Sequence, residues 1–328
     1  MDQDELLAKC HALAVACDLE TLAPLARALE QYYPRSENQW RKLYEIFGAL
    51  KEKAWIEIMT ERFLALAPQN TAARIAEAKY ISEVPLRRAV AIEKVNALAK
   101  LDIVSAEDCL TVGLIYANCA LREPAIAFLE RALMRASNDG SDSTDIRIKF
   151  IQCLITFKEH YRAHIELDAL IAATSGQKSV LITATMLALR LNDKDLAIKY
   201  LDAAMAVVNS WEHIFLGTLL ILSANLGRLD YVERIVAAID YGRIRSLSTL
   251  EEIYEAVKGR GFHQAENAIT ATVIAREPHH PKFYRPVSIY GTKFPIQSDP
   301  VTTSDYSELH TPSARRVIQW MYRLVARR

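Results

Sequence analysis

The chain has 328 residues, 51% of them hydrophobic and only 10 of them glycine, which favours continuous helices over strands and tight turns. Lysine plus arginine equals aspartate plus glutamate at 40 each, so the basic excess that usually accompanies nucleic-acid binding is absent. The five cysteines, Cys10, Cys17, Cys109, Cys119 and Cys153, are odd in number and lack CxxC spacing; they read as reduced, mostly buried residues of a reducing compartment.

The chain opens Met1-Asp2-Gln3-Asp4-Glu5, an acidic start without the apolar core of a secretory signal. No run approaches the ~18 apolar residues of a membrane span. Ile214 to Ala224 is apolar but short and fits a buried helix. A cytoplasmic location is the expectation. From the first helix onward a pattern recurs with a small or apolar marker at Leu29, Phe63, Ala97, Ala132, Ala169, Ala204, Ala238 and Thr272. The steps are 34, 34, 35, 37, 35, 34 and 34 residues. A second position lies seven residues before each marker: Leu22, Ile56, Val90, Ala125, Arg162, Ala197, Tyr231 and Ala265. Such a period is the signature of stacked helical repeats, and sixteen helical segments, two per unit, can be drawn.

Breaks fall between units at Pro34-Arg35-Ser36 and Pro68-Gln69-Asn70. The polar run Asn138 to Ser143 accounts for the long 37-residue step and reads as a surface insertion, with Ser143 or Thr144 capping the helix that follows. After Pro278 the repeat stops. Residues 278 to 312 hold six of the 11 prolines, interleaved with Phe283, Tyr284, Ile289, Tyr290 and Phe294. That aromatic content predicts an ordered extended segment, since disordered linkers are poor in aromatics. A last helix is expected from about Ser313 to Ala326, apolar at Val317, Trp320, Met321, Leu324 and Val325, with five arginines on its other side. Residues 277 to 328 carry eight basic and four acidic side chains, a charge suited to folding back on a net acidic array.

The fourth unit carries Val112-Gly113, Tyr116, Ala125, Leu129 and Ala132; the second carries Trp40, Leu43 and Phe47 and ends at Pro68; the first ends at Pro34, one period earlier. On these residues the units resemble the tetratricopeptide repeat (TPR) family. In the later units the resemblance rests on the period, and Arg162 stands where a small residue is expected. It implies an all-α, right-handed superhelical array of about eight TPR-like helix pairs over residues 1–276. A proline- and aromatic-rich tail over 277–311 and an amphipathic helix over 312–328 follow. It also implies that the first helix of each unit lines a concave groove for a partner protein. The inward positions are Arg41 and Glu45, Lys79, then Leu110, Leu114 and Asn118, then Arg147, Ile151 and Leu154. They continue through Ile182, Met186, Leu189 and Arg190, Leu216 and Leu220, to Tyr254. Helix-to-helix core is the competing reading of each apolar member, because periodicity alone fixes helix rotation loosely. Clamp positions read Arg41, Glu45, Ala76, Glu107 and Thr111, which argues against a carboxylate clamp of the chaperone type.

No phosphate-binding glycine loop, HExxH or GxSxG occurs, and no cofactor or metal is expected. His279 and His280, with His263 upstream, lack a carboxylate or cysteine at ligand spacing. The function expected is a non-catalytic scaffold or adaptor for a protein segment. The degenerate repeats are similar in style to accessory proteins of bacterial secretion or envelope-polysaccharide systems. One alternative is autoregulation, with Phe283, Tyr284, Tyr290, Phe294 and Trp320 occupying the groove. Another is a peripheral membrane adaptor acting through the basic last helix, for which capping of the stack is favoured over lipid contact. An enzymatic site around His279, His280 and Tyr284 ranks last. Oligomeric state is not addressed by the sequence.

Overall fold

The computed structural model describes residues 2–101, 103–174, 176–208, 212–244, 246–278 and 280–283, together with the backbone of 288–289 and 292–293. Tyr284, Tyr290, Phe294, Trp320, His279 and the helix expected over 312–328 lie outside the described residues.

Sixteen α-helices among the described residues form eight consecutive pairs. They are α1 (Gln3–Ala16) with α2 (Leu19–Ala26), α3 (Glu37–Ala49) with α4 (Lys53–Leu66), and α5 (Thr71–Ser82) with α6 (Arg88–Leu98). Next come α7 (Ala106–Asn118) with α8 (Arg122–Asn138) and α9 (Thr144–Thr156) with α10 (His160–Thr174). The last three are α11 (Lys178–Arg190) with α12 (Lys194–Val207), α13 (His213–Leu226) with α14 (Leu229–Ala238), and α15 (Leu247–Val257) with α16 (His263–Arg276). Beyond them, β1 (Ser288–Ile289) and β2 (Thr292–Lys293) pair antiparallel. Among the described residues, those up to Glu166 belong to one compact unit and those from Leu167 to a second.

Local chemistry sets the helix ends. The helix start leaves backbone N–H groups unpaired, and a short polar side chain can accept from them. Asp2 and Glu5 form a capping box on α1. Ser36 accepts from Gln39 N at 3.3 Å, Asn70 from Ala73 N at 2.9 Å and Ser105 from Asp108 N at 3.0 Å. At α9 the structure corrects the expectation. Ser143 holds the cap position without a side-chain bond, and Asp142 Oδ1 accepts from Thr144 N at 2.9 Å instead. The chain reverses within most pairs on a residue with positive φ: Cys17, Lys51, Ala120, Lys158, Asn192, Gly227 and Gly259.

Core positions on the second helices confirm the period and correct the register in three units. Buried or partly buried residues recur at Leu22, Ile56, Ala91, Ala125, Ala163, Ala197, Val232 and Ala265. In the third unit Ala91 and Leu98 are buried, and Val90 is exposed. In the fifth, Ala163 and Leu170 replace Arg162 and Ala169, so a small residue does occupy the close contact. In the seventh, Val232 and Ile239 replace Tyr231 and Ala238. Arg162 and Tyr231 turn outward, to Glu130 and to Asp202 Oδ1 respectively. The corrected steps are 34, 35, 34, 38, 34, 35 and 33 residues.

The fourth pair shows why the marker glycine is there. A Cβ on Gly113 would lie 2.9 Å from Leu129 Cγ and 3.2 Å from the Ala125 carbonyl oxygen. Close approach of α7 to α8 therefore depends on an absent side chain.

Candidate interaction surface

In the compact unit up to Glu166, α3 is strongly amphipathic. On α3 the buried residues are Trp40, Leu43, Ile46 and Phe47. Trp40 stacks on Phe63 of α4 at 5.7 Å and donates from Nε1 to Thr60 Oγ1 at 3.2 Å. The opposite face is charged. Arg41 pairs with Glu37 at 2.6 Å, and Glu45 with His11 of α1 at 2.7 Å. Glu37 also accepts from Asn70 Nδ2 at 2.6 Å, and the Arg41 and Asn70 bonds hold its carboxyl below the ordinary range. Lys79 of α5 is exposed. Asn118 at the end of α7 is exposed and donates to Ser82 Oγ of α5 at 3.3 Å. Leu110 and Leu114 lie half-buried on α7. Arg147 of α9 pairs with Glu166 of α10. A crevice of about 130 Å³ between α5 and α6 is lined by Arg74, Glu77, Glu93, Lys94 and Ala97, with Lys94 paired to Glu77 at 2.8 Å.

Other expected groove residues lie inside the protein. Ile151 and Leu154 of α9, Ile182 and Met186 of α11, and Leu216 and Leu220 of α13 are all buried. Helices α11 and α13 are apolar nearly all round: Val180 to Ala188 form an unbroken buried run on α11. A helix apolar on every side is a core helix, so these side chains are not offered to a partner in this conformation. Leu189 and Arg190 are half-buried, and burial pushes the Arg190 guanidinium down from its ordinary value.

In the compact unit from Leu167 a different first-helix face is engaged. On α15, Glu251, Tyr254, Glu255 and Lys258 share one side at helical spacing. Phe283, only 4% exposed, meets the Tyr254 ring edge-on at 4.8 Å. His280 Nε2 lies 2.9 Å from Glu251 Oε1, and Lys282 Nζ lies 2.7 Å from Glu251 Oε2. Burial raises the Glu251 carboxyl, but Lys282 and His280 outweigh it and leave it low. Glu252 is pushed the other way by burial and by the neighbouring Glu251 charge. Sequence reasoning reached Tyr254 and Phe283 but missed Glu251 and Lys282, whose signal was three glutamates within five residues of one helix. His263 is exposed and 3.9 Å from Glu266, and no group of three metal-ligating side chains occurs among the described residues.

No family model and no curated protein matches the chain. Among solved structures, the chain is similar to a tetratricopeptide repeat protein from Parabacteroides merdae at 13% identity, covering 82% of this chain and 98% of that one, with a TM-score of 0.50. It is also similar to the C-terminal part of a TPR repeat-containing protein from Cytophaga hutchinsonii at 13% identity, covering 84% and 97%, with a TM-score of 0.40. A third is YrrB, described as a TPR protein with an unusual peptide-binding site, at 15% identity over 58% and 93% with a TM-score of 0.39. The first of these shows the fold: a TPR-like helical repeat.

Proposed function

We propose that the chain is a non-catalytic scaffold that holds a segment of a partner protein on the first-helix faces of its N-terminal unit. Repeat arrays present extended surfaces of this kind rather than a closed pocket. The observation that carries the reading is the contrast in side-chain placement. Arg41, Glu45, Lys79 and Asn118 are exposed on α3, α5 and α7 with Leu114 half-buried beside them, whereas Ile182, Met186 and Leu220 are consumed as core. Arg41, Lys79 and Asn118 would fix the register of a bound segment by polar contacts around apolar burial at Leu114. Photo-crosslinking residues placed at 79 and 114 should each give the same discrete adduct, and one at the exposed Tyr161 of α10 should give none. Adducts from position 161 alone, or from none of the three, would overturn the reading. The degeneracy of the repeats supports an accessory role in bacterial secretion or envelope-polysaccharide assembly; co-purification with subunits of such an assembly tests it.

A second reading is autoregulation, favoured by one contact: Phe283, just beyond the array, rests on Tyr254 of α15. A chain lacking residues 278–328 should bind the partner more tightly than the full chain. Equal or weaker binding by a folded truncation removes this reading and leaves the first intact.

A further inference from the structure

The chain that leaves α16 turns back at once. His280 N donates to the Glu277 carbonyl at 3.0 Å and Phe283 N to the His280 carbonyl at 3.1 Å, the bonds of two successive turns. These turns set His280, Lys282 and Phe283 against α15. The contacts divide by chemistry. Glu251 receives both nitrogen donors, Tyr254 receives the Phe283 ring, and Glu252 and Glu255 add negative charge toward Lys282.

We infer that the α15 face built by Glu251, Tyr254 and Glu255 is a recognition site for a short segment of a partner protein that presents a cation beside an aromatic ring, with His280–Phe283 as the resident occupant in cis. The face is built for a cation: α15 carries three glutamates and no lysine or arginine over Leu247–Val257. Like charges held this close repel, and Glu252 registers that repulsion on top of its burial; a cation laid across them relieves it. The aromatic seat is equally specific. Phe283 is buried while its neighbours Pro281 and Lys282 are exposed, and Lys258 Nζ lies 5.5 Å from the centre of the Tyr254 ring, opposite in character to the acids.

The resident fits this seat incompletely. His280 is 6% exposed, yet its Nδ1 is buried without a hydrogen-bond partner among the described residues. A buried polar atom left unpaired weakens whatever holds it there. A segment with lysine or arginine in place of that histidine would meet the same acids without burying an unpaired ring nitrogen. The resident is thus an exchangeable occupant. This inference rests on the tail-docking reading above and adds the chemistry of the ligand.

The test uses a fluorescently labelled peptide of residues 278–289 and the full chain carrying Lys282→Ala and Phe283→Ala, which vacates the face. Anisotropy titration should show binding about tenfold tighter to the vacated chain than to the unsubstituted one, a difference of about 1.4 kcal/mol. Adding Glu251→Gln to the vacated chain should weaken binding about tenfold, and a peptide with Lys282→Glu should not bind. Absence of saturable binding to a vacated chain with the parent melting curve, or indifference to Glu251→Gln, overturns the inference. Should the vacated chain fail to fold, the unsubstituted chain serves. Excess peptide should then speed hydrogen exchange at the amides of His280, Lys282 and Phe283, and unchanged exchange overturns the inference. Peptide binding with no effect of truncation on partner affinity would retain the site and remove only autoregulation.

Discussion

Helices α3 and α11 occupy the same place in their pairs and are both 13 residues long, yet they serve opposite ends. On α3 four side chains are buried, and a charged face carrying Arg41 and Glu45 is left in water. On α11 nine consecutive residues, Val180 to Ala188, are buried, two of them the hydroxylated Thr183 and Thr185. Those two threonines are satisfied within the helix, donating to Ser179 and Leu181 carbonyls at 2.9 Å each. The lesson is that a repeat period fixes pair geometry without fixing how each inner face is used. One face remains free for exchangeable contact; the other is consumed as core.

Core truncation should expose this difference most strongly. Leu187 of α11 is fully buried, and Leu187→Ala should cost about 2–5 kcal/mol through lost contacts and the cavity left behind. Arg41→Ala on α3 should leave stability within about 0.5 kcal/mol, as an exposed i,i+4 pair contributes little, while weakening partner binding. Urea melts of both variants with a parallel binding titration would check the contrast, and comparable stability losses would break it. Next in size is Gly113→Leu. The α7–α8 contact has no room for a side chain, and overpacking there should cost about 1–3 kcal/mol. An unchanged melt would show that α7 can move away from Leu129 freely.

Much of this was legible in the sequence, and the failures have definite causes. The period, the helix pairs and the close approach at Gly113 were readable because spacing survives when individual residues drift. The register slipped by one in three units because a small residue stands beside a larger apolar one at each marker: Ala97 beside Leu98, Ala169 beside Leu170, Ala238 beside Ile239. One residue rotates a helical face by about 100°, and burial selects the larger side chain. The groove was harder. Where α3 alternates charged and apolar residues its exposed face is marked, but α11 and α13 are apolar on nearly all sides, so no periodicity distinguishes groove from core. Glu251 and Lys282 act through a chain reversal that places residues 31 apart in contact, which no local pattern announces.

The turns within pairs give a smaller test of the same contrast. The compact unit up to Glu166 reverses on Cys17, Lys51, Ala120 and Lys158, all with φ near +60°, whereas the one from Leu167 uses Asn192, Gly227 and Gly259. A side chain in the left-handed region is strained, by about 1–2 kcal/mol for most residues, and glycine gives back part of that gain as chain entropy. Ala120→Gly should therefore stabilise the chain by up to about 1 kcal/mol. Gly227→Ala should destabilise it by a similar amount. Thermal melts moving in opposite directions would support the assignment; a loss of stability in Ala120→Gly would contradict it.

The smallest expected effect is electrostatic, and its sign separates the two faces. Glu37 of α3 has its carboxyl held low by the Arg41 and Asn70 bonds. A group with a depressed folded value stabilises the fold above its unfolded value and loses that contribution as pH falls through the folded one. Glu252 of α15 is raised by burial and by Glu251. It works in reverse: its contribution is complete below the unfolded value and is lost as pH rises through the folded one. Both windows open from the ordinary value of 4.5, downward for Glu37 and upward for Glu252. Glu37→Gln should flatten the acid limb of the stability profile below that point, and Glu252→Gln should raise stability near neutrality. The Glu37 effect will be modest, because 43% of its side chain is exposed and solvent screens the pair. Salt distinguishes it further: the Glu37 contribution should fade as ionic strength rises, whereas the burial penalty on Glu252 should persist. Identical salt responses would mean that the carboxyls of α3 and α15 sit in equivalent surroundings, against the division between an open face and an occupied one.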